Sequence, residues 1–205
     1  MSPADVQGGG SPGRFAPSDA IFLDRDGLLN ELVLYADTGE WESPRGVADL
    51  RLRPGAVDFV RGLKALGLPL FLVSNQPSAA KGKTSLEDLG RVHERLASGF
   101  PASAFTEAFY CHHHPEAVVP ELRGLCPCRK PSPHFLRTAA ERHGLDLARC
   151  WMVGDQDMDI ACGRAAGCRT LLVPNPNSAA KRGRETPDQV CDDLAQALRL
   201  IAGHP

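Results

Sequence analysis

The chain has 205 residues, 42% hydrophobic and 23% charged, the balance of a soluble globular domain whose core is large enough to need no disulfide staples. Its 23 basic and 25 acidic side chains leave a net charge of −2, which argues against a broad nucleic-acid-binding surface, and no apolar run nears the roughly 18 residues of a membrane span. The N-terminus lacks the charged start and apolar run of a secretory signal, and seven cysteines, an odd count, fit reduced thiols in a cytosol better than a disulfide framework, so a cytoplasmic protein is expected.

Residues Met1 to Pro17 are rich in Gly, Pro and Ser and read as a disordered tail, with residues 18–205 forming a single domain. Ala20 to Leu23 is an apolar run halted by Asp24, which predicts a buried strand with acidic residues at its C-terminal end. From Pro54 a helical pattern (Val57, Val60, Leu63, Leu66, widened by Phe59) runs to a stop at Gly67. Leu70 to Val73 is a second buried strand, ending at Ser74-Asn75-Gln76. A helix starts near Ser85, where Ser-x-x-Asp resembles a capping box, and stops near Gly99. Phe105 to Tyr110 reads as a third strand, and Ser132-Pro133 to His143-Gly144 as the next helix. Trp151 to Val153 is a fourth strand, ending at Gly154-Asp155. A short helix to about Gly167, a strand from Thr170 to Val173 and a helix from about Cys191 to Ile201 complete the chain.

Short continuous apolar strands alternating with helices predict an α/β fold, a parallel sheet with helices on both faces. Two segments interrupt it, Glu31 to Leu52, too irregular to assign, and Cys111 to Pro131. Cys150, Cys162, Cys168 and Cys191 are expected to be small buried residues.

In open parallel sheets ligands sit beyond the carboxyl ends of the strands. Here those ends carry Asp24-Arg25-Asp26-Gly27, Ser74-Asn75-Gln76 and Gly154-Asp155, with Asp159 four residues on, and the second interruption delivers Arg129-Lys130. Crowded carboxylates repel one another unless a cation lies among them, and hard oxygen ligands suit Mg²⁺. A lysine and a hydroxyl beside them suit the other oxygens of a phosphoryl group. Taken singly, Asp-x-Asp is commonly a solvated turn and Gly-Asp a helix cap; their ordered combination at predicted strand ends carries the reading.

Cys111-His112-His113-His114 and Cys126-Pro127-Cys128 share one loop, with twelve residues between His113 and Cys126. Three thiolates and an imidazole form a tetrahedral set for Zn²⁺ with no open position for water or substrate, so zinc here is expected to be structural, fixing the loop that leads into Arg129-Lys130. Lys81-Gly82-Lys83-Thr84 ends like a nucleotide-binding loop, but Pro77 stands where its first glycine belongs. It is expected instead to flank the site and raise the positive potential there.

From Ala20 to Val173 the order Phe22-Leu23-Asp24-Arg25-Asp26-Gly27, Val73-Ser74-Asn75-Gln76, Cys111 to Pro131, and Val153-Gly154-Asp155 resembles the haloacid dehalogenase-like superfamily of phosphotransferases. Ser74-Asn75-Gln76 and the C-x-H…C-x-C-R-K-P loop are similar to the branch of D-glycero-D-manno-heptose 1,7-bisphosphate phosphatases and histidinol-phosphate phosphatases. The resemblance implies a Rossmann-like fold. It implies Asp24 as the nucleophile that forms an aspartyl-phosphate, and Asp26 as the group that protonates the leaving alkoxide and then deprotonates water.

It further implies Mg²⁺ held by Asp24, the backbone carbonyl of Asp26, and Asp155, with Asp159 reaching the ion through water. Ser74 and Lys130 are implied as ligands of the phosphoryl oxygens, with Asn75, Gln76 and Arg129 contacting substrate. The C-x-H spacing selects His113 as the zinc ligand beside Cys111, Cys126 and Cys128. The interruptions are too short for a large cap domain, so a capless, open site is expected.

Leu28 and Gln156 depart from the family, which commonly has Thr and often Lys there, and Leu32-Val33-Leu34 is apolar where polar sugar contacts are expected. Trp41 is either a stacking platform or a loop anchor. The expected function is a Mg²⁺-dependent phosphatase of a small sugar phosphate such as heptose 1,7-bisphosphate, losing the 7-phosphate. Histidinol phosphate or another small phosphoester is the alternative substrate, and a zinc-stabilised, non-catalytic phospholigand-binding module the alternative class. No nucleic-acid or membrane partner is expected, and the chain is expected to be a monomer.

Overall fold

The structure, a computed structural model, describes residues 15–204. The expected tail therefore lies outside the described residues except for its end, where Phe15 packs against the core and Asp19 caps a turn by accepting from the Ala16 amide.

Six strands form one parallel sheet: β1 (Ile21–Leu23), β4 (Leu70–Asn75), β5 (Glu107–Cys111), β6 (Trp151–Gly154), β7 (Arg169–Leu172) and β8 (Gln189–Val190), in the order β5-β4-β1-β6-β7-β8. A separate antiparallel hairpin, β2 (Val33–Tyr35) and β3 (Glu40–Glu42), occupies the first interruption. The helices are α1 (Ala56–Ala65), α2 (Leu86–Ala97), α3 (His134–His143), α4 (Asp157–Ala166) and α5 (Leu194–Gly203). None of the helices described is long and apolar enough to cross a membrane.

Alternation along the strands divides the core in two. Ile21, Leu23, Leu70, Leu72, Trp151 and Val153 face Phe59 and Leu63 of α1, Val92 and Leu96 of α2, and Ile201 of α5. The intervening Phe22, Phe71, Val73 and Met152 face the other way, onto Leu136 of α3 and Cys162 of α4. Because side chains in a strand point to opposite faces in turn, a sheet apolar on both faces must be covered on both. Cys150, Cys162 and Cys168 sit in the second cluster and Cys191 in the first, all buried and free, as expected.

Local signals hold at several ends. The Ser85 hydroxyl accepts from the Asp88 amide at the start of α2, and Gly144 and Gly167 take left-handed conformations after α3 and α4. The structure moves two elements: the third predicted strand is Glu107–Cys111, and the last helix starts at Leu194 with Asp193 as its cap. Among the described residues it adds the β2–β3 hairpin, the two-residue β8 and four short 3-10 helices, the longest Pro176–Lys181. Phe105 packs against the first core cluster, edge-on to Phe100, and lies outside the strand.

Leu28 lies fully buried in the first cluster. Its departure from the family pattern is thus a packing residue behind the site.

Candidate active site

The carboxyl ends of β1, β4 and β6 converge on one cleft of about 270 Å³. Asp24 follows β1 directly, its amide bonded to the Val153 carbonyl of the neighbouring strand at 2.9 Å. Lys130, brought from the far end of the cysteine–histidine loop, is buried; its Nζ donates to Asp24 Oδ1 (2.6 Å), Asp159 Oδ1 (2.7 Å) and the Val73 carbonyl (2.7 Å). Asp24, Asp155 and Asp159 each bring a carboxylate oxygen within 4.8 Å of the others.

Gly27 makes this approach possible. It holds φ +90, and a Cβ there would stand 2.2 Å from Asp155 Oδ2, so both its backbone conformation and the space above it exclude a side chain. Its carbonyl is fixed by Arg53 Nη1 at 2.7 Å and Asn175 Nδ2 at 2.9 Å.

The electrostatics fit a bound cation. Burial pushes the Asp24 carboxyl up to about 7 against the pull of Lys130, with Asp159 and Asp26 pushing the same way as burial. Burial, then Asp24 and Asp159, raise Asp155 well above the carboxylate range. Both Asp155 side-chain oxygens are buried without a hydrogen-bond partner among the described residues. Buried acceptors left unpaired are costly, and a hard divalent cation among three carboxylates satisfies them; this donor set suits Mg²⁺.

Asp26 turns to a different set of partners. Its Oδ1 accepts from Arg25 Nε (3.1 Å), Arg25 Nη2 (3.0 Å) and Asn30 Nδ2 (3.0 Å), and its Oδ2 from Gln76 Nε2 and from the Ser74 hydroxyl (3.4 Å). Arg25 also donates to Gln76 Oε1 at 2.6 Å, and its guanidinium lies 5.5 Å from the centre of the Tyr110 ring.

Gln76, expected at the substrate, is instead buried and bonded to Asp26, Arg25 and Ser74, outside the residues that line the cleft. The step from Ser74 to Gln76 is two residues, yet β4 ends between them, so strand alternation no longer directs the second side chain to the first one's side. Arg25 and Asn30 escaped the sequence reading; the available signal was an arginine and an asparagine flanking two aspartates at the end of an apolar strand.

Ser74, Asn75, Arg129 and Lys130 all line the cleft with Asp24 and Asp26. Asn75 and Lys130 exchange two hydrogen bonds, and Arg129 Nη1 donates to the His113 carbonyl at 3.1 Å. Behind them Cys111, His113, Cys126 and Cys128 place their ligand atoms within 4.8 Å of one another. His112 Nδ1 is engaged with the Gln76 carbonyl at 3.2 Å, and His114 Nδ1 accepts from the Glu116 amide, which leaves His113 as the histidine of the cluster. Burial pushes the Cys128 thiol far above its ordinary value, reinforced by its hydrogen bonds to Cys126 and Cys111. Three crowded thiols ionise together only around a cation, and this set suits Zn²⁺.

The outer cleft is built by the hairpin and two loops. Trp41 and Leu32 line it, as do Lys81 and Gln156. Gln156 makes a capping box with Asp159 at the start of α4, so it fixes the helix that carries one of the clustered carboxylates. Of the two lysines expected to raise the local potential, only Lys81 reaches the cleft; Lys83 is tied to Glu42 at 2.5 Å.

Residues 127–197 match the HAD-hydrolase-like family model. The chain is 36% identical over 199 residues to the D-glycero-D-manno-heptose-1,7-bisphosphate 7-phosphatase of Thermosynechococcus vestitus, covering 92% of this chain and 97% of the relative. It is 32% identical to the D-glycero-beta-D-manno-heptose-1,7-bisphosphate 7-phosphatase of Escherichia coli K12, covering 89% and 93%. Among solved structures, the D,D-heptose 1,7-bisphosphate phosphatase of B. bronchiseptica, complexed with magnesium and phosphate, aligns with a TM-score of 0.74 and 26% identity over 91% of this chain and 99% of that one. Similarity of this extent over nearly the whole chain places it: it belongs to the D-glycero-D-manno-heptose-1,7-bisphosphate 7-phosphatase family of HAD-like hydrolases.

Proposed function

We propose that the chain hydrolyses D-glycero-D-manno-heptose 1,7-bisphosphate at its 7-phosphate, with Asp24 as nucleophile and Asp26 as proton donor and acceptor. The observation that carries this reading is the Asp24–Lys130 pair at the floor of the cleft, beside an Asp155 carboxylate whose two oxygens have no partner among the described residues.

Asp24, Asp155 and the Asp26 carbonyl would hold Mg²⁺, with Asp159 behind them. When bound, the ion supplies positive charge that offsets repulsion between a carboxylate nucleophile and a phosphate dianion. Lys130 and Ser74 bind the non-bridging oxygens and hold the phosphorus in line with Asp24. An Asp24 oxygen forms a bond to phosphorus as the bond to the sugar oxygen breaks, and Asp26 gives its proton to the departing alkoxide. A water oxygen then attacks phosphorus, its proton passes to Asp26, and the phosphorus–Asp24 bond breaks to release inorganic phosphate and restore both residues.

Both proton transfers ask Asp26 to turn from part of the ring of donors formed by Arg25, Asn30, Ser74 and Gln76. Zinc in the Cys111, His113, Cys126 and Cys128 cluster would be structural, its four protein ligands leaving no position for substrate. The net charge of −2 and seven free cysteines support a cytoplasmic enzyme whose partner is a small phosphosugar, not a nucleic acid or a membrane, and we read it as a monomer.

The test is phosphate release from a panel of phosphorylated sugars and histidinol phosphate with Mg²⁺ present. Heptose 1,7-bisphosphate is expected to give the highest kcat/KM and Asp24→Asn to abolish turnover. Preference for histidinol phosphate would reassign the substrate. Binding without release by the unaltered chain would leave a phospholigand-binding module.

A further inference from the structure

We propose that Trp41, Lys81 and Lys181 form a distal subsite that takes the ring and the second phosphate of a sugar bisphosphate; this rests on the function proposed above and names the residues that choose its substrate. The three come from separate segments: Trp41 from β3, Lys81 from the turn after β4, and Lys181 from the end of the 3-10 turn Pro176–Lys181 that follows β7. All three line the same cleft as Asp24 and Lys130.

The cations of this cleft divide by what they already hold. Lys130 is bound to Asp24 and Asp159, Arg129 donates to the His113 carbonyl, and Lys83, outside the lining, is bound to Glu42. The ammonium groups of Lys81 and Lys181 have no hydrogen-bond or ion-pair partner among the described residues, so they are free to meet an incoming anion. Glu42 adds little negative charge against them, being paired with both Arg45 and Lys83. The backbone under Lys81 is fixed: its amide bonds the Pro77 carbonyl at 2.9 Å, and the Ala80 carbonyl accepts from Val118 at 2.9 Å.

Trp41 is 38% exposed, yet the hairpin that carries it is braced. The Arg45 guanidinium lies 3.8 Å from the centre of the Tyr35 ring and pairs with Asp37 and Glu42, while the Tyr35 hydroxyl donates to Asp49 at 2.6 Å. A large aromatic held in place at the mouth of a cleft offers a flat apolar surface that suits the C–H face of a sugar ring. Glu40 beside it, an acceptor, suits the ring hydroxyls. A dianionic phosphate in this cleft meets the two free ammonium groups that line it. In an enzyme without a large cap, selectivity has to come from loops of this kind.

The experiment compares kcat/KM for heptose 1,7-bisphosphate with that for heptose 7-phosphate, which carries the same reacting phosphate and lacks the second. The ratio of the two is expected to fall by roughly 10-fold or more in the Lys81→Ala/Lys181→Ala double variant, the loss of charge-assisted hydrogen bonds to phosphate. An unchanged ratio overturns the lysine assignment, and because it is a ratio, a general loss of fold or chemistry does not move it.

For Trp41, the Asp24→Asn protein is titrated with the bisphosphate while tryptophan fluorescence is followed; the other tryptophan, Trp151, is buried in the core. A change that disappears in the Asp24→Asn/Trp41→Phe protein supports the ring contact, and its absence overturns it. Should the unaltered chain not hydrolyse heptose 1,7-bisphosphate, the proposed function fails. The same ratio and titration with fructose 1,6-bisphosphate and fructose 6-phosphate then decide the subsite on their own: a lowered ratio and a Trp41 signal keep it, and neither discards it.

Discussion

Asn75 and Lys130 hold each other across the cleft by two reciprocal hydrogen bonds: Asn75 Nδ2 donates to the Lys130 carbonyl at 3.1 Å, and the Lys130 amide donates to Asn75 Oδ1 at 3.0 Å. A side-chain amide, with one donor and one acceptor side by side, matches the amide of a backbone in this way, whereas a carboxylate or a hydroxyl does not. The end of β4 is thereby joined to the last turn of the cysteine–histidine loop, and the Lys130 ammonium is delivered to Asp24.

Asn75→Ala removes both bonds and leaves the backbone donor and acceptor of the buried Lys130 unpaired. A stability loss of about 1–3 kcal/mol is expected, together with a fall in kcat/KM as Lys130 loses its fixed position. Denaturant unfolding and steady-state assays check this. Asn75→Asp is expected to rescue little, since a carboxylate has no donor for the Lys130 carbonyl.

The stability of metal-free protein is expected to fall as pH rises. Burial and neighbouring carboxylates raise the Asp24 carboxyl from 3.8 to about 7 in the folded chain, and Asp155 moves the same way. The folded state thus binds more protons than the unfolded one between these values, so unfolding free energy declines from about pH 4 to about pH 7. Added Mg²⁺ should flatten this dependence by stabilising the ionised carboxylates. Thermal melts over this pH range, in EDTA and in Mg²⁺, test it; a metal-free protein equally stable at both ends refutes it.

Gly27→Ala is expected to be severe. The backbone strain of φ +90 costs about 1–3 kcal/mol by itself, and the new methyl group collides with the Asp155 carboxylate. Activity should fall below detection even where folded protein is recovered, because Asp155 has to move. Circular dichroism alongside the phosphatase assay separates the two effects.

Cys126→Ser removes one thiol of the Cys111, His113, Cys126 and Cys128 cluster proposed to hold zinc. Purified wild-type protein is expected to carry about one equivalent of zinc and the variant to lose it, with stability lower by about 3 kcal/mol or more. Since the loop also positions Lys130, activity should fall with the metal. Elemental analysis, melts and kinetics measured on the same samples check it, and full stability and activity without zinc would contradict the structural role.

The chain order of the site was written in the sequence because each motif is local: an apolar run long enough for a strand, followed at once by polar residues at its carboxyl end. Asp24, Ser74 and Asp155 needed only the rule that parallel strands point their ends the same way, and Cys111, Cys126 and Cys128 needed only their spacing. The resemblance supplied His113 and the roles.

Packing decided the rest. Whether Gln76 met substrate or Asp26 depended on which way its side chain turned just past the end of β4, and no periodicity governs that. Arg25, next to Asp24, is buried against Tyr110, 85 positions away in the chain, a pairing fixed by the place of β5 beside β4. The β2–β3 hairpin and the two-residue β8 are too short to show an alternation and exist because neighbouring segments hold them. The separation of Lys83, bound to Glu42, from Lys81 and Lys181, unpaired among the described residues, is likewise tertiary. Local chemistry named the groups proposed to act on phosphate, while long-range contacts determined which side chains around them are already paired and which are not.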